Sequence, residues 1–120
     1  EPVNHQYANC MVKTADAMKF VEEINLPNVG LMLDMAHMLI EGEDLPASIR
    51  AVSEKQRLWH FHFTDSDRKP AGDGRYDMDE AVQALRAVSY DAYCTVETFQ
   101  IPDSRYAIKR SYETLQSYFS

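Results

Sequence analysis

The stretch that decides the fold is Val29-Gly30-Leu31-Met32-Leu33-Asp34, a short apolar run that ends on an acid. A strand buried on both faces has this unbroken apolar pattern, and such strands are typical of parallel sheets covered by helices. The preceding residues, Asn25-Leu26-Pro27-Asn28, have the composition of a turn. We therefore predict a buried parallel strand with Asp34 at its C-terminal end.

The same unit occurs three times along the chain: an apolar run, a polar loop with acids and histidines, and an amphipathic helix. Two more strands are predicted at 58–63 and 93–96, and the charged segment 64–77 is predicted to be a long loop. The predicted helices begin at Thr14 as N-cap and end at 24, run from the Asp44 cap to 52, span 79–88, and follow Asp103-Ser104. This alternation predicts an α/β fold with a parallel sheet.

Composition limits the classes of protein. The chain has 120 residues, 45% of them hydrophobic, and 12 Lys and Arg against 19 Asp and Glu, a net charge of −7. We expect one domain over 1–120, no membrane span, and neither nucleic acid nor membrane as partner. Cys10 and Cys94 form no CxxC pair, so we expect neither a disulfide scaffold nor a cysteine zinc site, and a cytoplasmic location. Because the chain begins at Glu1, we expect it to be part of something longer.

Four chemically similar residues stand at the C-terminal ends of apolar runs: Glu1, Asp34, His62 and Glu97. In parallel α/β folds the C-terminal ends of the strands form the ligand-binding edge, so these side chains should converge. Three carboxylates and one imidazole favour one divalent metal ion, Mn²⁺, Mg²⁺ or Co²⁺, over structural zinc, with Zn²⁺ still possible. Each acid taken alone could instead be a helix cap or a solvated loop residue.

Two further histidines have open interpretations. His60 shares a strand face with His62 and lies deeper along the strand, so we predict a hydrogen-bonded interior histidine there. His37 follows Asp34 by three residues. It is either a residue that supports the ligands or contacts substrate, or a surface histidine at the start of a helix.

Five segments together resemble the xylose-isomerase-like TIM barrels, within them the D-tagatose 3-epimerase and hydroxypyruvate isomerase-like group. They are Glu1-Pro2-Val3-Asn4, Leu33-Asp34-Met35-Ala36-His37, His60 to Arg68, Gly72-Asp73-Gly74 and Val96-Glu97-Thr98. The resemblance implies a (β/α)₈ barrel. It also implies that this chain is about the C-terminal half, from the end of strand five to helix eight, since a full barrel has roughly 250 residues.

The resemblance further implies a divalent-metal-dependent epimerase or isomerase of a ketose or sugar phosphate. Its metal ligands would be Glu1, Asp34, His62 and Glu97. Glu1 and Glu97 would also be the catalytic carboxylates that move the proton through a metal-stabilised enediolate. His37 and Arg68 would bind the oxygens of the small-molecule sugar, although Arg68 could also be a solvated loop arginine.

One position departs from the pattern, and other functions stay open. Several ketose 3-epimerases have a second glutamate six residues after the first, where this chain has Tyr7, so the substrate is open. An apurinic endonuclease needs more histidines for its zinc cluster, and 69–77 contains none. A polyol dehydratase is another alternative. The chain could also be an inactive half-barrel fragment or assembly module, which self-associates or pairs with the missing N-terminal half through its open strand edges.

Overall fold

A three-stranded parallel sheet forms the centre of the computed structural model, which describes residues 1–119. The strands are β1 (Leu31–Asp34), β2 (Leu58–His62) and β3 (Tyr93–Thr95), in the order β1-β2-β3. Asp34 lies beside His62, and His62 lies beside Thr95. The C-terminal ends of the strands therefore meet at one edge of the sheet, which is the arrangement that the apolar runs predict.

Helices connect the parallel strands. They are α1 (Thr14–Ile24), α2 (Met35–Ile40), α3 (Leu45–Glu54), α4 (Met78–Ala87) and α5 (Ser104–Phe119). Helices α2 and α3 join β1 to β2, and α4 joins β2 to β3. The predicted α/β alternation is confirmed, and the chain has the architecture of a partial (β/α) barrel.

The core lies between one face of the sheet and the helices. Phe61 and Phe63 are fully buried, and their rings meet edge to face with centroids 5.0 Å apart. Ile49 and Val52 of α3 and Val82 of α4 belong to the same buried cluster. Because side chains alternate along a strand, the histidines of β2 point to the opposite, open face. The apolar face thus packs against the helices, and the other face can present polar side chains to a ligand.

Helix α1 begins differently from the prediction. Its N-cap is Lys13, whose side chain makes no capping bond within residues 1–119, and Thr14 is the first helical residue. The Glu43 carboxylate accepts a hydrogen bond from the Thr14 backbone N–H at 3.0 Å. The prediction of Thr14 as N-cap is wrong because a distant acid supplies the acceptor that a capping residue normally provides.

Three shorter features also depart from the prediction. Strand β1 begins at Leu31, two residues after the start of the apolar run. Helix α2 follows Asp34 directly, and the 64–77 segment contains a 3₁₀ turn at Ser66–Arg68. Both helical pieces are too short to produce an apolar period, so only their capping acids could have indicated them.

The described part of the chain has two open sheet edges, at β1 and β3. A groove of about 830 Å³ runs between β3 and α5 and is lined largely by apolar side chains. Ile108 and Tyr112 of α5 line it and are 71% and 62% exposed. In residues 1–119, no helix combines the length and apolar character needed to cross a membrane.

Candidate metal and substrate site

The four residues predicted as metal ligands lie together. Glu1, Asp34, His62 and Glu97 each offer one ligand atom, and these atoms all lie within 4.8 Å of one another. Each comes from a different place: the chain start, the end of β1, the end of β2 and the segment after β3. Two ligands on opposite sides of an ion that binds oxygen at about 2.1 Å are about 4 Å apart, so the spacing suits one small divalent cation.

The imidazole of His62 provides the clearest test of whether the residues fit a cation. Its Nδ1 atom is buried and makes no hydrogen bond with the described residues. Carboxylate oxygens of Asp34 and Glu97 each lie 3.5 Å away, and one of Glu1 lies 4.0 Å away. A ring nitrogen without a hydrogen-bond partner and three carboxylates together form a donor set for a hard or borderline cation. The residues therefore fit a divalent metal ion.

The electrostatics of His62 follow from the same carboxylates. Interaction with Asp34 is the main reason why the pKa of His62 is raised; burial opposes it, and the charges of Glu1 and Glu97 add to the rise. The same carboxylates that favour a proton on His62 would favour a bound cation, and the cation would displace that proton.

Asp34 is held in one orientation by hydrogen bonds to both oxygens. Its Oδ1 accepts from the backbone N–H groups of Ala36 at 2.8 Å and His37 at 3.1 Å, which caps α2. Its Oδ2 accepts from the Thr64 hydroxyl at 2.5 Å. Burial would raise the pKa of Asp34, but interaction with His62 and the bonds from Thr64 and His37 outweigh burial, and the pKa is lowered. The carboxylate is thus kept charged while fully buried.

Arg68 and Glu97 position each other. The Arg68 guanidinium lies 2.7 Å from Glu97 Oε2. The backbone carbonyl of Arg68 accepts hydrogen bonds from the Phe99 N–H and the Thr98 hydroxyl, both at 2.7 Å. Asp67 and Arg68 have φ values of 58° and 53°, a left-handed conformation that is uncommon for residues other than glycine. The loop after β2 is therefore fixed to the end of β3 at the residue predicted to contact substrate.

A buried carboxylate that sequence reasoning missed shapes this loop. Asp65 is fully buried and accepts backbone hydrogen bonds from four residues of the loop that follows it. These donors are Ser66, Gly72, Gly74 and Tyr76. A Cβ at Gly74 would overlap the Asp65 carboxylate, so this position requires glycine. The spacing of Gly72-Asp73-Gly74 was the available sequence signal, but it does not identify the acid that the loop surrounds.

A second ion pair fastens the same loop to α5. Asp73 accepts hydrogen bonds from the Arg110 guanidinium at 2.7 Å and the Tyr106 hydroxyl at 2.8 Å. The Arg110 bond is the main reason why the pKa of Asp73 is lowered. Because these side chains are partly exposed to solvent, the pair orients the loop more than it stabilises the fold.

A pocket of about 310 Å³ lies beside the acidic cluster. Its lining residues are Glu1, Val3, Tyr7, His37, Arg68, Glu97 and Phe99. His37 is 5% exposed, so the alternative that it is a surface histidine is wrong. Its Nε2 lies 3.8 Å from Glu1 Oε1, and its ring meets the Tyr7 ring edge-on with centroids 6.2 Å apart. Both residues predicted to bind substrate, His37 and Arg68, therefore line the pocket.

His60 makes the hydrogen bond predicted for it but is less enclosed than expected. Its Nε2 lies 3.0 Å from Thr95 Oγ1, and its ring meets the His62 ring with centroids 5.2 Å apart. The residue is only partly buried because it lies on the open face of the sheet. Desolvation lowers the pKa of His60, and the neighbouring His62 acts in the same direction.

Comparison with known proteins gives a match over nearly the whole chain. The sequence model of the family described as Xylose isomerase-like TIM barrel matches residues 1–118. The ketose 3-epimerase of Arthrobacter globiformis is 34% identical over 99 residues, which cover 82% of this chain and 34% of that protein. The 3-dehydro-D-guloside 4-epimerase of Escherichia coli is 33% identical over 98 residues, covering 81% of this chain and 36% of that protein.

Solved structures agree with the sequence comparison. The 3-keto-D-glucoside 4-epimerase of E. coli superposes with a TM-score of 0.86 at 27% identity, over 97% of this chain and 44% of that one. The D-allulose 3-epimerase of Methylomonas sp. gives a TM-score of 0.83 at 26% identity, over 92% and 44%. The chain thus spans about a third of the curated relatives and less than half of these solved structures.

The hydrogen bond between Thr64 and Asp34 generates a stability prediction. We expect Thr64→Val to lower the free energy of unfolding by about 1.5–3 kcal/mol at neutral pH, because a buried carboxylate loses a donor. A carboxylate whose pKa is lowered on folding stabilises the protein above its unfolded-state pKa. This contribution is lost as the pH falls through the folded-state pKa. The difference from wild type should therefore shrink on acidification. Urea unfolding in the presence of a chelator, repeated at neutral and several acidic pH values, measures this difference in the free energy of unfolding.

Thr64→Ser is the matched control for that experiment, because it keeps the hydroxyl. It should retain most of the wild-type stability and the wild-type pH dependence. Equal losses in the valine and serine variants, or a loss independent of pH, would show that the hydroxyl has no specific effect on Asp34.

Proposed function

The chain belongs to the xylose isomerase-like TIM barrel family, and we propose that it supplies the proton-transfer half of a sugar epimerase. In this proposal residues 1–120 are one domain, the C-terminal half of a (β/α)₈ barrel from the end of strand five to helix eight. The observation that carries the proposal is the cluster of three carboxylates and one imidazole beside a pocket at the C-terminal edge of the sheet.

The reactions that the relatives are named for are of one kind. A ketose 3-epimerase inverts carbon 3, which is next to a carbonyl at carbon 2, and a 3-dehydro-guloside 4-epimerase inverts carbon 4, next to a carbonyl at carbon 3. In both, the inverted carbon carries a proton adjacent to a ketone. We therefore assign this chain a sugar substrate with a ketone beside the carbon that is inverted or isomerised.

The residues of the site suit removal and return of that proton. Glu1 and Glu97 both line the pocket and belong to the acidic cluster, so each can take or give a proton at a bound sugar. A divalent cation bound by Glu1, Asp34, His62 and Glu97 would polarise the carbonyl and the adjacent hydroxyl oxygen. By ligand chemistry Mn²⁺, Mg²⁺ or Co²⁺ is favoured.

His37 and Arg68 would hold the sugar in place. Both line the pocket and carry nitrogens suited to hydroxyl and carbonyl oxygens. The Arg68 guanidinium is already paired with Glu97, and within residues 1–119 the pocket lining contains no other arginine and no lysine. Val3, Tyr7 and Phe99 form an apolar part of its wall. This lining favours an unphosphorylated sugar over a sugar phosphate.

A second function, assembly with another polypeptide, is favoured by the groove between β3 and α5. The groove is open, largely apolar and adjacent to an unpaired strand edge. In a closed barrel a neighbouring strand would pair with that edge and pack against α5. We therefore propose that the chain pairs with a polypeptide that supplies the remaining strands.

Metal binding generates the next prediction. We expect Mn²⁺ to stabilise the chain by about 2.7 kcal/mol at a concentration 100 times the dissociation constant, because the folded cluster binds it. Glu97→Gln and Asp34→Asn should abolish the gain, and the exposed α5 variant Glu113→Gln should keep it. Thermal unfolding with and without Mn²⁺ measures the effect. A full gain in both site variants would refute the ligand assignment.

The reaction is tested by exchange with solvent deuterium. Chain mixed with the N-terminal portion of the A. globiformis ketose 3-epimerase and Mn²⁺ should exchange the proton beside the ketone of D-psicose or D-fructose. Glu1→Gln and Glu97→Gln should each slow exchange by about 10²–10⁴-fold or more, because each removes a proton carrier that is also a proposed metal ligand. NMR of the sugar in D₂O follows the exchange. If the two polypeptides co-elute and no ketose exchanges its proton, the assembly function is the better proposal.

Pairing is tested through two adjacent residues of α5. Ile108 lines the groove, and the Lys109 side chain is 72% exposed and lies outside the lining. We expect Ile108→Asp to weaken co-elution with the same N-terminal portion at least tenfold, because a charge would be buried in an apolar contact. Lys109→Asp should not. Equal binding by both variants would contradict the proposal, and sedimentation of the chain alone would detect self-association as the competing use of the groove.

A further inference from the structure

Asn4 is a buried amide with a hydrogen bond at each end. The residue is fully buried, and its Oδ1 accepts from the Gln6 backbone N–H at 2.9 Å. Its Nδ2 lies 2.7 Å from His37 Nδ1. A backbone N–H can only donate, so the atom that faces Gln6 is the carbonyl oxygen of the amide. The NH₂ group of Asn4 must therefore face the His37 ring.

This orientation decides which nitrogen of His37 carries the proton. An amide NH₂ group donates and does not accept, so His37 Nδ1 has to be the acceptor. A neutral imidazole with an accepting Nδ1 has its proton on Nε2. The Nε2 atom of His37 lies 3.8 Å from Glu1 Oε1. His37 and Glu1 both line the pocket.

We propose that Asn4 is a positioning residue that fixes His37 as its Nε2–H tautomer and so makes it a hydrogen-bond donor to a substrate oxygen. The inference about the donor rests on the proposed function. When a proton leaves a carbon beside a ketone, negative charge develops on oxygen, and a preorganised N–H donor stabilises that charge. The opposite tautomer would present a lone pair to the same oxygen and repel it.

The backbone of Asn4 supports this arrangement. Its carbonyl accepts from the N–H groups of Tyr7 at 3.0 Å and Ala8 at 3.1 Å, which closes a turn. The turn brings the Tyr7 ring edge-on to His37. One buried residue thus sets both the tautomer of His37 and the position of the aromatic side chain beside it. An asparagine that served only the turn would need no side-chain bond to His37.

NMR of ¹⁵N-histidine-labelled chain at alkaline pH, where imidazoles are neutral, tests the inference. His37→Gln assigns the signals. We expect Nε2 to show the shift of a protonated nitrogen and Nδ1 that of an unprotonated one. Asn4→Asp is close in shape and keeps an acceptor for Gln6, but it places an acceptor opposite Nδ1, so the proton should move to Nδ1. A wild-type ring protonated at Nδ1 would overturn the inference without reference to any variant.

Asn9→Asp is the matched control, since it makes the same change of charge at an exposed position of the same segment. It should leave the His37 tautomer unchanged. If Asn4→Asp also leaves the tautomer unchanged while its spectrum is otherwise that of the folded chain, Asn4 does not set it.

Adding D-psicose with diamagnetic Mg²⁺ separates this inference from the proposed function. A shift of the Nε2–H signal on addition supports the donor role. The expected tautomer with no response to any ketose would uphold the role of Asn4 and count against the sugar substrate. In the paired protein, Asn4→Asp should lower kcat for exchange by about 100-fold with a smaller change in KM, as expected for loss of one donor to developing charge.

Discussion

The structure depends on one buried carboxylate, that of Asp34. It ends β1, caps α2 through the Ala36 and His37 N–H groups, and binds the Thr64 hydroxyl beyond β2. An unpaired charge at this depth would be costly, so these bonds are a condition of the fold as well as of the site. Since the same carboxylate faces His62, the group that holds the strand ends together also begins the acidic cluster.

One face of the sheet forms the core, and the other carries the histidines of the candidate site. The face toward the helices carries Phe61, Phe63 and Leu33, all fully buried. The opposite face carries His60 and His62, which are only partly buried because no strand or helix of the described residues covers them. The chain can therefore maintain a core without a closed barrel. Its site, however, is left open on this face by the described residues. In our proposal, a polypeptide that closes the barrel would therefore change access to the pocket and leave the four proposed ligands in place.

Periodicity and strand ends predicted the parts of this structure that depend on local sequence. The apolar run before Asp34 predicted β1, and the rule that parallel strands present their C-terminal ends together predicted which side chains meet. The roles of Thr64, Asp65 and Asn4 could not be predicted, because each depends on which atoms come together across loops after folding. The cap of α1 is a similar case: Glu43 provides it from 29 residues away, a separation at which no capping pattern can be read.

Asn4, Asp34 and Asp65 form a buried part of the candidate site that contrasts with its exposed wall. Each is fully buried, and each accepts hydrogen bonds from backbone N–H groups of the segment that follows it. Tyr7 and Phe99, by contrast, are exposed and line the pocket. Under the proposed function, substitutions at exposed wall positions would leave these buried bonds intact, so the preferred sugar could change while the proposed proton-transfer residues stay in place. In that proposal Tyr7, which lines the pocket, bears on which sugar fits and not on the proton transfer itself.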